Sequence, residues 1–564
     1  MALAAGARIA PGMGFVRRSP HHFAMRTSPA TSREAAPTVS KPWLAAAVGV
    51  LVLLRIPSFL EPHWYSDEST YSYVGRTIVR GGDLYTSTGA WDNKPPLQYW
   101  TYGILTHFLG YSEAAIHLVP FLGALAAVAA IGWGVARLTG SPGRAGIACV
   151  LAVLTLGSPL FDAQLFLPEG ALIGPMTWAG MMLLVFITSP EWAARHRWVP
   201  YVAGALASIA LGLQQTVIAD VVTLSIILVI ATPGRWRHLL PLWGTGLAVS
   251  AFWFLPTVIA SGWSASLYAT VGYYTTYAHK GLPSTVTEQV LHFAGIAGGL
   301  VALLVGAAIL GRRVRYPSWM LWLLGGIDLL VAGSTHFTYP HLLIPAIPWL
   351  AAAIAATPWH RASLLGDGSR LALRSGIAVM TVGIILAYAE GSYAGSYWIN
   401  SGNRSLSTYY IDGYDSLLNS VERASWQASF SSNVVPDIKV AAWLDSHHYA
   451  GSSAVLWSVG DEWLYLTTPL FTTLPTVGLF NDDVLLGGSG ADIGPYVARH
   501  RPRIVITDMQ SVVQRPTILP VLARYYVEIF ADGPYIVYVQ PSAMTRGVTT
   551  TTRSPGARET RSDV

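Results

Sequence analysis

Two carboxylates stand side by side in the stretch His63-Trp64-Tyr65-Ser66-Asp67-Glu68-Ser69-Thr70-Tyr71, a few residues after the first long apolar run. Adjacent acids can bind a metal, act as a general base or simply be solvated. They also suit the first turn of a helix capped by Ser66, where acids favour the dipole. The readings are compatible, because a capped acid is also a positioned acid. Downstream come Gly82-Asp83-Leu84-Tyr85 and Trp91-Asp92-Asn93-Lys94-Pro95-Pro96-Leu97. Arg55 lies near the end of the first apolar run, where a charge is costly and so a functional suspect, although snorkelling to the interface is an equal reading. Glu169 stands at the start of another apolar run, after a turn without cations. It faces a cavity or is one more acid at a helix start. His336 and His341 are five apart rather than the four that stack on one helix face, so a paired zinc site is not expected.

These residues sit in a chain built for a bilayer. Of 564 residues, 52% are hydrophobic and only 12% charged, against about 25% charged in soluble domains. Apolar runs of helical length occur at about 43–60, 114–136, 145–163, 170–188, 199–213, 216–232, 239–260, 293–311, 318–334, 340–357 and 372–390, which makes about eleven spans. Gly212 and the Gly325–Gly326 pair weaken two of them. The single cysteine, Cys149, lies in an apolar run and reads as a small hydrophobe. The pI near 9.1 does not indicate nucleic acid, because the basic residues cluster in alternate loops.

That alternation orients the chain. Arg137 and Arg144, Arg195 and Arg197, Arg235 and Arg237, Arg312 to Arg315, and Arg361 to Arg374 mark one side, together with the Arg-rich tail before the first span. The turns near 161–168, 213–216 and 335–339 carry no Lys or Arg. By the positive-inside rule the N-terminus is cytoplasmic and everything after about 391 is outside. Residues 1–42 read as a disordered cytoplasmic tail, 43–392 as the transmembrane domain, 393–542 as an extracytoplasmic α/β domain and 543–564 as a disordered tail. The α/β reading rests on apolar strands at 454–458, 503–507 and 535–540 alternating with helices at 438–447, at a segment ending near 500, and at 518–530. Two outer segments, 61–113 and 261–292, exceed ordinary connections. The first predicts two interfacial helices, 68–80 and 97–109, each ended by glycine.

The acid pair, the Gly-x-x-Tyr and the Lys-Pro-Pro together resemble the membrane glycosyltransferases of the C-type fold. The resemblance is nearest to the family 39 and aminoarabinose-transferase-like enzymes. It continues in Leu167-Pro168-Glu169, in Gln214-Gln215-Thr216 and in His336-Phe337-Thr338-Tyr339-Pro340-His341, and spans about residues 43–360. The chain departs from the pattern at Asn93, where some relatives carry an acid, at His336, where Arg is frequent, and at Leu342, where tyrosine is expected.

What the resemblance implies is transfer of a sugar from a polyprenyl-phosphate donor to an acceptor hydroxyl on a glycan, lipid or protein, outside the cytoplasmic membrane and with inversion. Asp67 is then the general base. Lys94, and second to it Arg55, meet the departing phosphate. Glu68, Glu169, Tyr85, Gln215, His336, Tyr339 and His341 bind substrate. No residue cluster calls for a metal, and a divalent cation is the one cofactor left open. The alternative is a transporter or flippase of a lipid-linked or polar solute. That reading fits poorly with acids gathered at the outer ends of the spans rather than at mid-membrane.

Overall fold

A computed structural model describes residues 41–231, 235–273, 286–311, 317–334, 339–357, 406–458, 462–477, 493–514 and 516–544. Its helical body opens with α1 (Lys41–Arg55), α2 (Ser66–Val79), α3 (Pro96–Leu109), α4 (Glu113–Thr139), α5 (Pro142–Leu156) and α6 (Pro168–Thr188). It continues with α7 (Val199–Leu213), α8 (Ile218–Ala231), α9 (Leu239–Ser261), α10 (Val286–Gly311), α11 (Ser318–Ser334) and α12 (Ala346–Ala356). The apolar segments read from the sequence correspond to these helices, apart from 372–390, which lies outside the described residues.

Among the described residues, four helical stretches are long and apolar enough to cross a membrane: Pro42–Leu60, Glu113–Thr139, Pro168–Thr188 and Trp236–Ser261. Six more are apolar but shorter, at 10–17 residues. The outer surface of α9 shows why a bilayer is needed. Leu247, Phe252 and Ile259 are 64%, 79% and 76% exposed, an apolar stripe that water would not tolerate on a monomer. Glycines bring neighbouring helices close. A Cβ on Gly299 would lie 2.9 Å from the carbonyl of Gly326. Gly326 therefore lets α10 and α11 approach, as small residues do in membrane bundles, rather than merely weakening its helix.

The first long connection folds as α2 and α3, close to the expected boundaries. Ser66 is not the cap: the helix starts at Ser66, with extended Tyr65 before it and no side-chain capping bond. α2 is buried along Glu68–Arg76 and crosses α3 at glycine distance. A Cβ on Gly75 would come within 2.6 Å of the Gly103 amide nitrogen.

The C-terminal part begins with α13 (Leu406–Leu418), α14 (Ser420–Ala428) and α15 (Val434–Ser446). It then forms β1 (Ser453–Trp457), β2 (Phe471–Thr472), α16 (Ile493–His500), β3 (Ile504–Asp508), α17 (Leu519–Tyr525), β4 (Val527–Asp532) and β5 (Tyr535–Val539). The strands make one sheet in the order β2-β1-β3-β5-β4. β1 is parallel to β2 and β3, with Val455 opposite Val505, while β5 runs antiparallel to β3 and β4. One expectation fails here. The helix read over 518–530 stops at Tyr525, and Val527–Asp532 is a strand. Tyr526 is already extended, and the turn at Gly533, with φ +56°, folds β4 back onto β5. Val527, Glu528 and Phe530 pair with β5 across a register shift between Glu528 and Phe530, so the segment joins the sheet rather than continuing a helical face.

Candidate active site

The two acids of the opening motif diverge because α2 turns about 100° per residue. Asp67 is half-buried, with Oδ2 3.5 Å from the Tyr71 hydroxyl one turn on. Burial pushes its carboxyl above the ordinary aspartate value, against the pull of Lys94. Lys94 acts on several further groups. Its charge is felt by Asp92, by Glu169 and by His341. Asp67 of α2, Glu169 of α6 and His341 of the 3-10 turn Pro340–Leu343 thus lie within electrostatic reach of Lys94 in the 91–96 turn.

Two prolines fix the turn that carries Lys94, and three hydrogen bonds hold it. The Tyr85 hydroxyl donates to the Lys94 carbonyl at 2.6 Å, and the Lys94 amide donates to the Tyr99 hydroxyl at 2.8 Å. The Gln215 amide donates to the Asn93 carbonyl at 3.1 Å and to the Thr270 carbonyl at 3.1 Å. Tyr85 and Gln215 thus position the lysine loop. Tyr85 does so from a backbone with φ +71°, a conformation rare outside glycine.

Glu169 is 2% exposed in the first turn of α6. Its Oε1 accepts the Gln214 amide at 2.8 Å and its Oε2 has no protein partner. His341 is buried with Nδ1 unpartnered, and its ring stacks on Tyr339 at 5.4 Å. His336 lies outside the described residues.

Glu68 belongs to other company. Its Oε1 accepts the Phe166 amide at 2.6 Å and pairs with His117 Nε2 at 3.3 Å, and His117 Nδ1 lies 2.6 Å from the Ser58 carbonyl. Arg55 is on this side too. It is only 1% exposed, so it does not snorkel, and it donates to the Ala163 carbonyl. Tyr409, Tyr410 and Glu61 surround it, and Tyr409 donates to Glu61 at 2.6 Å.

Sequence reasoning passed over Asp92 and Gln214. Asp92 is 3% exposed beside Lys94, and burial raises its carboxyl to about 6 even though the Asn93 amide donates to it at 2.7 Å. An acid therefore stands next to the lysine after all, one residue earlier than the family pattern places it. The signal was Trp91-Asp92-Asn93-Lys94 itself, read for the residue at 93 and not for the one before it.

A second omission is the C-terminal segment at the site's back. Arg76 of α2 donates to the Tyr465 carbonyl at 2.7 Å and to the Leu470 carbonyl at 2.8 Å. Tyr73 accepts from the Thr472 amide, Ser69 donates to Glu462, and Trp463 donates to the Tyr65 carbonyl. The 462–477 segment thereby fastens the helix that carries Asp67.

No family model matches the chain, and no curated protein sequence does. Among solved structures the chain is similar to ArnT from Cupriavidus metallidurans in the apo state, with a TM-score of 0.58 at 15% identity, covering 88% of this chain and 97% of that one. The same protein bound to undecaprenyl phosphate aligns with a TM-score of 0.57 at 15% identity, over 88% and 98% of the two chains. At this identity the match establishes the fold alone, over 88% of the chain, and that fold is the one the first-loop motifs lead one to expect.

Proposed function

We propose that this protein is a membrane glycosyltransferase that moves a sugar from a polyprenyl-phosphate donor to an acceptor hydroxyl at the outer face of the cytoplasmic membrane. The observation that carries this reading is the convergence of Asp67, Glu169 and Lys94, a half-buried base and a buried carboxylate around one lysine, inside an apolar helical body. The fold shared with ArnT supports it, since ArnT binds undecaprenyl phosphate in the same architecture.

In the reaction, Asp67 accepts the proton of the acceptor hydroxyl as that oxygen attacks the anomeric carbon. The new C–O bond forms on the side opposite the phosphate, and the old bond breaks with its electron pair passing to the phosphate oxygen. The anomeric centre inverts. Lys94 balances the charge that grows on the departing phosphate, while Asp92 and Glu169 keep the ammonium in place. An elevated Asp67 carboxyl is a stronger base than an ordinary aspartate, which suits proton abstraction from an alcohol. The acceptor is a glycan, lipid or protein hydroxyl. The sheet domain lies outside, where it recruits that acceptor; a chain ending near Gly395 that kept full acceptor affinity would exclude this role.

The test is transfer by purified protein in lipid, using radiolabelled polyprenyl-phosphate sugars and a cell-envelope extract. Transfer from one donor, abolished in Asp67→Asn while that donor still binds, supports the enzyme and its base. Movement of a lipid or solute across the bilayer with no transfer from any donor would instead establish a transporter.

A further inference from the structure

The C-terminal part meets the first apolar span through a hairpin of two helices, α13 and α14. The Tyr409 hydroxyl of α13 donates to Glu61 at 2.6 Å. One turn on, Gly413 packs on Pro57, where a Cβ would lie 2.8 Å from the proline ring, and the Tyr414 hydroxyl donates to the Leu53 carbonyl. Numbers rise along α13 as they fall along the partner segment, so α13 runs back along the first span. The second helix returns. Trp426 of α14 lies against Gly413, and the Gln427 amide donates to the Leu60 carbonyl at 2.8 Å. The open end of the hairpin is therefore fastened at Leu60 and Glu61, and its closed end, residues 418–421, points the other way.

That direction leads along a helical stretch, Pro42–Leu60, which is long and apolar enough to cross a membrane. A helix rises about 1.5 Å per residue, so Leu418 lies about 13 Å beyond Tyr409 along α13. The closed end thus stands level with Leu53 or nearer the middle of the span. Leu53 itself is 55% exposed, so this side of α1 faces lipid. The hairpin is apolar at the same level: Leu418 is 93% exposed, Val421 73% and Ile411 61%. Water would not favour so many large apolar side chains bared together, and the lipid that covers Leu53 is continuous with them.

The polar groups of the turn are met within the hairpin. The Asn419 side chain accepts the Val421 amide at 3.0 Å, the Ser416 hydroxyl donates to the Gly413 carbonyl at 2.6 Å, and Arg423 donates to the Ser416 carbonyl at 3.1 Å. A turn closed on itself in this way suits apolar surroundings. Its charges are Asp412, Asp415 and Glu422 against Arg423 alone. Anionic headgroups would repel that balance, so apolar burial is what holds the hairpin to lipid. The exposed Asp415 and Glu422 keep it at the boundary between headgroups and acyl chains, as for other interfacial helices.

We infer that the closed end of the α13–α14 hairpin dips into the near leaflet, with Leu418 and Val421 among the acyl chains, and so sets the height of the sheet domain over the bilayer. The inference is independent of the sugar-transfer reading.

The test is depth. Full-length protein carrying Leu418→Cys, Val421→Cys or, as a control in the sheet domain, Arg499→Cys is labelled with a bimane fluorophore and placed in phosphatidylcholine vesicles. Cys149 is buried, so wild type should take up no label; if it does, Cys149→Ala becomes the background. Labels at 418 and 421 should be quenched by spin-labelled phosphatidylcholine and protected from aqueous iodide, about 5–10 Å into the headgroup and acyl boundary. The label at 499 should behave in the opposite way. Replacing part of the lipid by phosphatidylglycerol, or raising the salt, should leave the depth unchanged. Labels at 418 and 421 as open to iodide as the one at 499 overturn the proposal. So do labels shielded from both quenchers, which would put a second copy of the chain over the tip. Insertion that appears only with phosphatidylglycerol and is lost in salt overturns it in favour of charge attraction.

Discussion

Asp67 and Glu68 are neighbours in sequence and live in different environments. Around Asp67 the groups are half-met: Glu169 Oε2 and His341 Nδ1 have no protein partner, and several acids share the field of one lysine. Around Glu68 the contacts are closed. A histidine and a backbone amide hold the carboxylate, and they tie α2 to α4 and to the loop before α6. The difference teaches that an acid pair in a motif need not be a catalytic pair. In the proposed reaction one member performs chemistry, and the other fixes the helix that aims it. Groups beside Asp67 are left open, while the Glu68 carboxylate itself is met by protein.

The comparison is sharpened most by replacing each acid. Asp67→Asn should lower kcat roughly 100- to 10,000-fold with thermal unfolding unchanged, and steady-state transfer measured beside melting checks both. Glu68→Ala should act in reverse order. Removing one partner of a buried ion pair costs about 3–5 kcal/mol, seen as a lower melting temperature, and activity should fall in proportion to the unfolded fraction. If Glu68→Ala instead melted normally and lost kcat, the division between the two sides would be wrong.

Lys94→Ala should lower kcat roughly 100- to 1,000-fold, as the loss of one aimed charge-stabilising donor does, and should shift the acid limb of the pH–rate profile upward, because Asp67 then loses the cation that pulls its proton off. In wild type that limb reports Asp67 giving up its proton. Its midpoint should lie above the ordinary aspartate value, with activity rising as pH rises through it. The smallest effect belongs to Asp92. Its folded carboxyl sits at about 6 against an ordinary aspartate value of 3.8, so the folded state holds the proton more tightly than the unfolded chain. Stability from this group is full below about 4 and falls as pH rises towards about 6. Asp92→Asn should remove that decline, read as a smaller difference between melting temperatures at pH 4 and pH 7.

Most of the helical body was legible because apolar runs of helical length declare themselves. α2 and α3 were legible from the glycines and prolines that end and begin them. Tertiary assignments were not. Arg55 reads in sequence as a cation beside the site, yet burial and the Ala163 carbonyl place it among Tyr409, Tyr410 and Glu61, partners as far as 355 positions away in the chain. Gln215 reads as a substrate ligand, yet its amide donates to two backbone carbonyls. The strand at 527–532 escaped because six residues with a short apolar run fit either period until a partner strand decides.

The Arg76 clamp has a consequence for biosynthesis. The helix bearing Asp67 is made early, but the carbonyls of Tyr465 and Leu470 that grip its guanidinium are made nearly 400 residues later. Ribosomes add about 5–20 residues per second, so the nascent chain spends tens of seconds with its first loop at the membrane and its clamp not yet synthesised. A chain that ended before Tyr465 would present the helix of Asp67 without either carbonyl of its clamp.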